Sequence, residues 1–532
     1  MTQKTIRLAT AILAGSLLLG ASSALAETVL RRGNGAEPKS LDPAHISIDI
    51  EGHIMQDLFE GLVVFDNAGK IQPGVAETWK ISTDGTVYTF NLRKDAKWSD
   101  GSPLTAGDFV FSLQREENPK TAGEYANILY PIKNAQKVNK GELPIEQLGV
   151  KAVDDHTLEI TLEQPTPFFL QLMTHYTSLP ISKANYEKFG EQFVKPGNMV
   201  SNGAFKLQAH VPNDSLTVVK NENYWDAKNV KLDKVIFYPI DDQAAAQRRY
   251  EAGELDVSYG MPLDQLKRLK ASFGAQVHAT PALSTEYYAF DTREAPYSDV
   301  RVRQALSMAV DRDFVANDIR SGAVTPAYSF VPPGMEGYGT GPQPEFAKLS
   351  QIDREDKAVE LMKEAGYGKG GKPLNIEIRY NTNTDHERLA TAIADMWKTT
   401  FGATVKLTNL DVASHYSYLQ EGGKFNVARA AWAADYADPE NFLALQIGDN
   451  KTFNYPHWKN AEFDALMAES YKETDPAKRM EIMKKAEAIQ VKDQPIMPLY
   501  FRSNLWMVST KVQGWGDNGV DWHLSKYLSL SK

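Results

Sequence analysis

Leu374 to Tyr380 reads as a strand, about 386–400 as a helix, and Thr404-Val405-Lys406-Leu407, entered through Gly402, as a second strand. A strand that returns to its sheet through a helix comes back parallel to its predecessor, by a right-handed crossover. This unit excludes all-helical and all-antiparallel architectures and predicts an α/β chain. Other segments agree with both element types. Thr86 to Leu92 alternates apolar and polar residues as a half-buried strand does, and enters through the Asp84-Gly85 turn. Asp299 can cap a helix with the apolar stripe Val302, Leu306, Ala309 and Val310. Asp475-Pro476 is an N-cap and first-turn pair ahead of Met480, Met483, Ala486 and Ile489, and a helix over about 353–365 stops at Gly366. Connecting loops are expected at Ala295–Tyr297, Val331–Pro344 and Gly366–Pro373. The last is rich in Gly and Lys, but it follows a helix and precedes a strand, the reverse of what phosphate cradling needs.

The chain has 532 residues, more than one hydrophobic core usually supports, so two or three domains are expected. Its start resembles a secretory leader: Lys4 and Arg7, an apolar run from Leu8 to Gly20, and Ala24-Leu25-Ala26 as a cleavage site, leaving Glu27 first. That run is shorter than the roughly 20 residues a membrane span needs. No cysteine is present, which excludes a lipid-anchored Cys, thiol catalysis and thiolate metal sites. A protein free in a periplasm is the expectation. The balance of 58 basic to 68 acidic residues, with no basic stripe, leaves no electrostatic case for nucleic acid.

Motifs for chemistry are missing. There is no G-x-S-x-G elbow, no H-E-x-x-H, no Walker lysine, and none of the ten histidines has a partner at i,i+4. Asp438 and Glu440 could serve a secreted hydrolase as a carboxylate pair, although loop solvation or capping accounts for them equally. The expectation is binding without catalysis, and with no cofactor or metal.

The segment from Val427 to Tyr436 points to a ligand. It places Arg429 and Asp435 around Trp432 in a run of mostly small or apolar residues. Burying an unpaired ion costs several kcal/mol, so each charge needs a partner. Two readings are open. Arg429 and Asp435 bridge each other, or a zwitterionic guest brings an ammonium to Asp435 and a carboxylate to Arg429.

Several strings resemble the extracellular solute-binding proteins of family 5, the receptors of peptide ABC importers. They are Pro73 to Trp79, Asp84 to Arg93, Lys97 to Phe109, Ser40 to Pro43, Ser201 to Phe205, Asn223 to Trp225 and Asp299 to Leu306. With Asp57 to Leu62 and the 427–442 segment, the likeness covers the whole mature chain and is strongest to the oligopeptide-binding branch. It implies a type II periplasmic-binding-protein-like α/β fold with two lobes, a hinge and an interlobe cleft. Domain I would comprise 27–59, 183–283 and 503–532; domain II, 60–182, would be inserted in the same lobe; domain III, 284–502, would form the second lobe. The implied partners are a short peptide and the permease subunits of an inner-membrane ABC importer, with the receptor itself a monomer.

By the same resemblance, Asp435 matches the aspartate that captures the peptide ammonium. Arg429 and His386 match positions near the carboxylate end, and Trp432 a side-chain pocket. Tyr125, His175 and Tyr287 fall on positions lining the cleft, and backbone groups around Ala431 and Ala433 would pair with the guest as an added strand. The chain also departs from the family pattern. Gln420 replaces a second cleft arginine, Ser47 an acidic position two residues before Asp49, Tyr259-Gly260 an Asn-Asn pair, and Ala289 a Glu. These departures bear on ligand length and side-chain preference. A different guest on the same fold, such as a cell-wall peptide, an opine-like conjugate, a metal chelate or haem, is the alternative.

Overall fold

The computed structural model describes residues 27–531; the expected leader and cleavage site lie outside the described residues. A mixed sheet of 11 strands runs through the molecule. Its first half contains β1 (Val29–Gly33), β2 (Phe205–Val211), β3 (Ser215–Lys220), β4 (Lys234–Tyr238) and β5 (Val257–Tyr259). The second half contains β6 (Val277–Phe290), β7 (Asn375–Asn381), β8 (Thr404–Leu410), β9 (Val427–Ala433) and β10 (Ile496–Val508). The order across the sheet is β8-β7-β9-β6-β10-β5-β1-β4-β3-β2, with Thr325–Pro326 attached to β10.

The expected crossover is present. β7 and β8 pair in parallel from Asn375↔Thr404 to Asn381↔Leu410, joined by the helix Thr384–Phe401. Gly402 ends that helix at φ +71°, a left-handed position open to Gly at no steric cost. The caps behave as their residue types predict: Asp299 accepts from the Arg301 amide and Asp475 from those of Ala477 and Lys478. A separate antiparallel four-stranded sheet, 76–81, 87–92, 157–161 and 150–154, carries the strand read from Thr86 to Leu92.

Two strands join the halves. β6 has 14 residues and β10 has 13, more than twice the usual length, and they pair antiparallel along most of their course. Their register breaks between Pro281 and Thr285, opposite Ser503 and Phe501. Proline cannot donate to the ladder, and a bulge bends the strand where it interrupts pairing. The buried cores divide at the same place. One gathers residues 30–237 with Val257, Trp506, Val508, Val512 and Leu528, two others draw only on residues between 283 and 500, and a small fourth cluster joins Ala323 to residues 250–269 and Met507.

Candidate functional site

A cavity of about 390 Å³ lies at that break, within the range of small-ligand sites. It is lined from one side by Ser47, Asp49, Tyr125, His175 and Tyr259, and from the other by Ala433 and Asp435, with the bulged stretches 282–284 and 502–504 between them. Seven of the residues expected from the sequence thus meet there, drawn from segments almost 400 residues apart. Ala431, Trp432, Arg429, His386 and Tyr287 lie outside this lining.

The strand edge beside the cavity is free. β9 pairs with β6 along its whole length, but with β7 only at Val427 and Ala428. Just past β9, the Ala434 amide donates to the Leu283 carbonyl at 2.8 Å. Backbone groups alternate direction along a strand, so the N–H and C=O of Ala431 and Ala433 point away from β6. At those residues no strand is registered on that side. Side chains on one sheet face are also readable: Ser284, Glu286 and Tyr288 stand opposite Ala433, Ala431 and Arg429. Small residues therefore floor the path from Arg429 to Asp435.

Asp435 ends that path. Its amide donates to Asn441 Oδ1 at 3.2 Å, and among the described residues no Lys, Arg or His forms an ion pair with its carboxylate. Burial pushes its carboxyl up, offset in part by the Asn441 side chain. Its neighbours hold the loop still. Asp438 forms a two-bond fork with Arg479 at 2.7 and 2.8 Å, and Glu440 accepts from the hydroxyls of Tyr436 and Tyr471. The Tyr436 ring stacks on Phe168 of the first half at 5.0 Å between centroids. Asp438 and Glu440 are thus buried scaffold, away from the cavity, and supply no exposed carboxylate pair for hydrolysis.

Arg429 differs from both sequence readings. It neither bridges Asp435 nor reaches the cavity; its partner is Glu286 on β6. Its Nε and Nη2 donate to the two Glu286 carboxylate oxygens, and Nη1 donates to Asn381 Oδ1 and Tyr416 Oη at 2.9 and 3.1 Å. Arg502 donates to the same Glu286 from β10, at 2.8 Å. Burial alone would raise the Glu286 carboxyl, but the Arg429 and then the Arg502 guanidinium outweigh it and hold it at about 2. Register puts these three on one face, across strands distant in sequence. A lone Glu among Leu283, Thr285, Tyr287, Tyr288 and Phe290 was the signal that could have found this partner.

Three other expectations also resolve differently. Tyr287 points to the opposite face from Glu286 and packs edge-on to Phe330 at 5.1 Å, wholly within the core. Trp432 is half-buried, donating to Asn441 Oδ1 at 2.8 Å and meeting Phe453 edge-on. The position of His386 is near the triad instead of in the cavity: Nδ1 lies 3.1 Å from the Asn381 carbonyl, and burial, then Arg429, lowers its pKa. The His175 ring, buried beside Tyr125 and Tyr176, is pushed down by burial to about 3 and is neutral.

Residues that sequence reasoning missed complete the lining. Asp521 and Trp522 come from the C-terminal segment, and Tyr176 and Arg502 from stretches without a motif. Asp521 accepts from Trp506 Nε1 at 2.8 Å, while burial and Asp521 together raise the Asp49 carboxyl. Among the described lining residues, three aspartates, Asp49, Asp435 and Asp521, face one arginine, Arg502. Elsewhere Asp42, His45 and Glu191 converge as cation ligands could, but Arg115 stands between them, 2.6 Å from Asp42 and 3.8 Å from Glu191. A guanidinium already supplies the charge there.

Residues 70–454 match the bacterial extracellular solute-binding proteins, family 5. The chain belongs to this family. As a whole, this family 5 protein is 41% identical over 513 residues to the periplasmic oligopeptide-binding protein OppA of Escherichia coli K12, covering 95% of this chain and 94% of that one. It superposes on the unliganded open form of the murein tripeptide-binding protein MppA with a TM-score of 0.89, at 38% identity and 95% and 98% coverage. On Haemophilus influenzae OppA in complex with the peptide RPPGFSPFR the score is 0.73, at 36% identity and 95% and 99% coverage. The fold is the family's mixed α/β architecture of several domains around a ligand cleft.

Proposed function

We propose that this protein is a periplasmic receptor that captures short peptides in its closing cleft and delivers them to the permease of an ABC importer, without catalysing a reaction. One observation carries the reading: Asp435, a carboxylate without a counter-ion, stands at the end of a strand whose Ala431 and Ala433 backbone groups have no partner among the described residues. A peptide supplies what both lack. Its ammonium neutralises Asp435 through a charge-assisted bond, and its main chain pairs with the free edge whatever its side chains. Names borne by relatives at this level of identity, oligopeptide-binding and murein tripeptide-binding, agree with that chemistry.

Closure in this reading moves 284–502 against the body formed by 27–59, 60–182, 183–283 and 503–532, about the break in β6 and β10. Titration calorimetry tests it: an N-acetylated tripeptide should bind at least about a hundredfold more weakly than its free-amine parent. Equal affinities would defeat ammonium capture. Mass spectrometry of the guest that co-purifies would separate general oligopeptides from a cell-wall peptide or a non-peptide solute.

A further inference from the structure

We propose that Arg502, and not Arg429, is the cleft's cation for the guest: it receives a carboxylate of the ligand. The proposal rests on the peptide-receptor reading above and adds a specificity determinant to it. The argument begins with charge. Glu286 is one anion shared by two guanidiniums, so the triad keeps one excess positive charge. Arg429 cannot present that charge. Its side chain is 3% exposed, and all three of its guanidinium nitrogens are committed to Glu286, Asn381 and Tyr416.

Arg502 is placed the other way. It touches Glu286 through Nη2, its side chain is 44% exposed, and it lines the cavity that holds Asp435. It projects from the bulged stretch of β10, where the two halves meet. One edge of the guanidinium is thus anchored and the other is free, the arrangement that lets a planar fork bind a carboxylate without first being ordered. The same cavity holds three aspartates, and among the described lining residues Arg502 is the one Lys or Arg that an anionic group on the guest can meet.

The guest carboxylate can be its C-terminus or an acidic side chain. Calorimetry on the full-length mature protein distinguishes them with three peptides: Ala-Ala-Ala acid, Ala-Ala-Ala amide and Ala-Glu-Ala amide. Wild-type protein should favour at least one carboxylate-bearing peptide over the neutral amide by about tenfold or more, and the favoured one identifies the source. Arg502→Gln should shrink that ratio below about threefold; any change common to all three peptides cancels in the ratio, and Arg429 still holds Glu286. Arg502→Lys, which keeps the charge but loses the fork, should recover part of the ratio and guards against a misfolded Gln variant. An undiminished ratio in Arg502→Gln, or no preference in wild type, overturns the assignment of Arg502. Loss of binding by all three peptides to wild type would instead overturn the peptide-receptor reading.

Discussion

Two charged positions six residues apart along β9 and its extension, Arg429 behind the cavity and Asp435 in its lining, have opposite electrostatic fates. At Arg429, β6 and β10 bring a buried Glu286 and a part-exposed Arg502 to complete a hydrogen-bonded triad. At Asp435, the surrounding groups fix the loop but leave the carboxylate without a counter-ion. Arg429 is satisfied before any guest arrives; Asp435 is not. A protein that retains an uncompensated, partly desolvated acid keeps a destabilising group, which ligand binding can relieve. Structure and recognition are therefore divided between two charges that look equivalent in the chain.

Removing one partner of the triad should give the largest effect. Arg429→Gln leaves Glu286 buried with only Arg502, and urea denaturation should show a loss of about 3–5 kcal/mol. Asp435→Asn should stay within about 0.5 kcal/mol of wild type or gain stability, because it removes an unpaired acid. Equal losses at the two sites would erase the contrast. Next in size, Asp435→Ala should lower peptide affinity more than about a hundredfold by calorimetry. A loss under threefold would return Asp435 to the scaffold.

Acidity should separate the regions by a smaller, graded effect. The Asp435 carboxyl is raised by burial, so in the empty protein it protonates at a higher pH than an ordinary aspartate. Peptide affinity should be complete above that raised pKa and fall by up to about tenfold for each unit below it. Glu286 is depressed to about 2, so its stabilising contribution is present above the unfolded carboxylate value and is lost only as pH falls toward 2. Binding should thus fade in a window where the triad still holds. Parallel peptide titrations and denaturation curves between pH 3 and 7 check this; simultaneous decline would contradict it.

Much of the fold was legible locally. The strand–helix–strand unit, the caps at Asp299 and Asp475 and the alternation before Leu92 follow from periodicity and from backbone groups that must be satisfied nearby. Asp435 stood out because a charge beside small residues is anomalous in any fold, and Ala433 followed from the resemblance to the family; both line the cavity. Glu286, Arg502 and Asp521 were not legible. The partners of Glu286 and Arg502 lie 143 and 216 residues away, across strand pairings that no local pattern encodes, and Asp521 meets Trp506 from a C-terminal segment outside the sheet. Tyr287 was misjudged for the same reason: one position of register decides whether a strand side chain faces the cleft or the core.

By itself, then, the sequence determined the element types, the kinship with family 5 and the presence of two charges in an apolar strand, since these depend on neighbours within a few residues. Only the tertiary structure decided which charge would be neutralised and which left waiting. Coulomb pairing and desolvation depend on distances of a few ångströms, and here those distances are set by the register of β6 against β9 and β10.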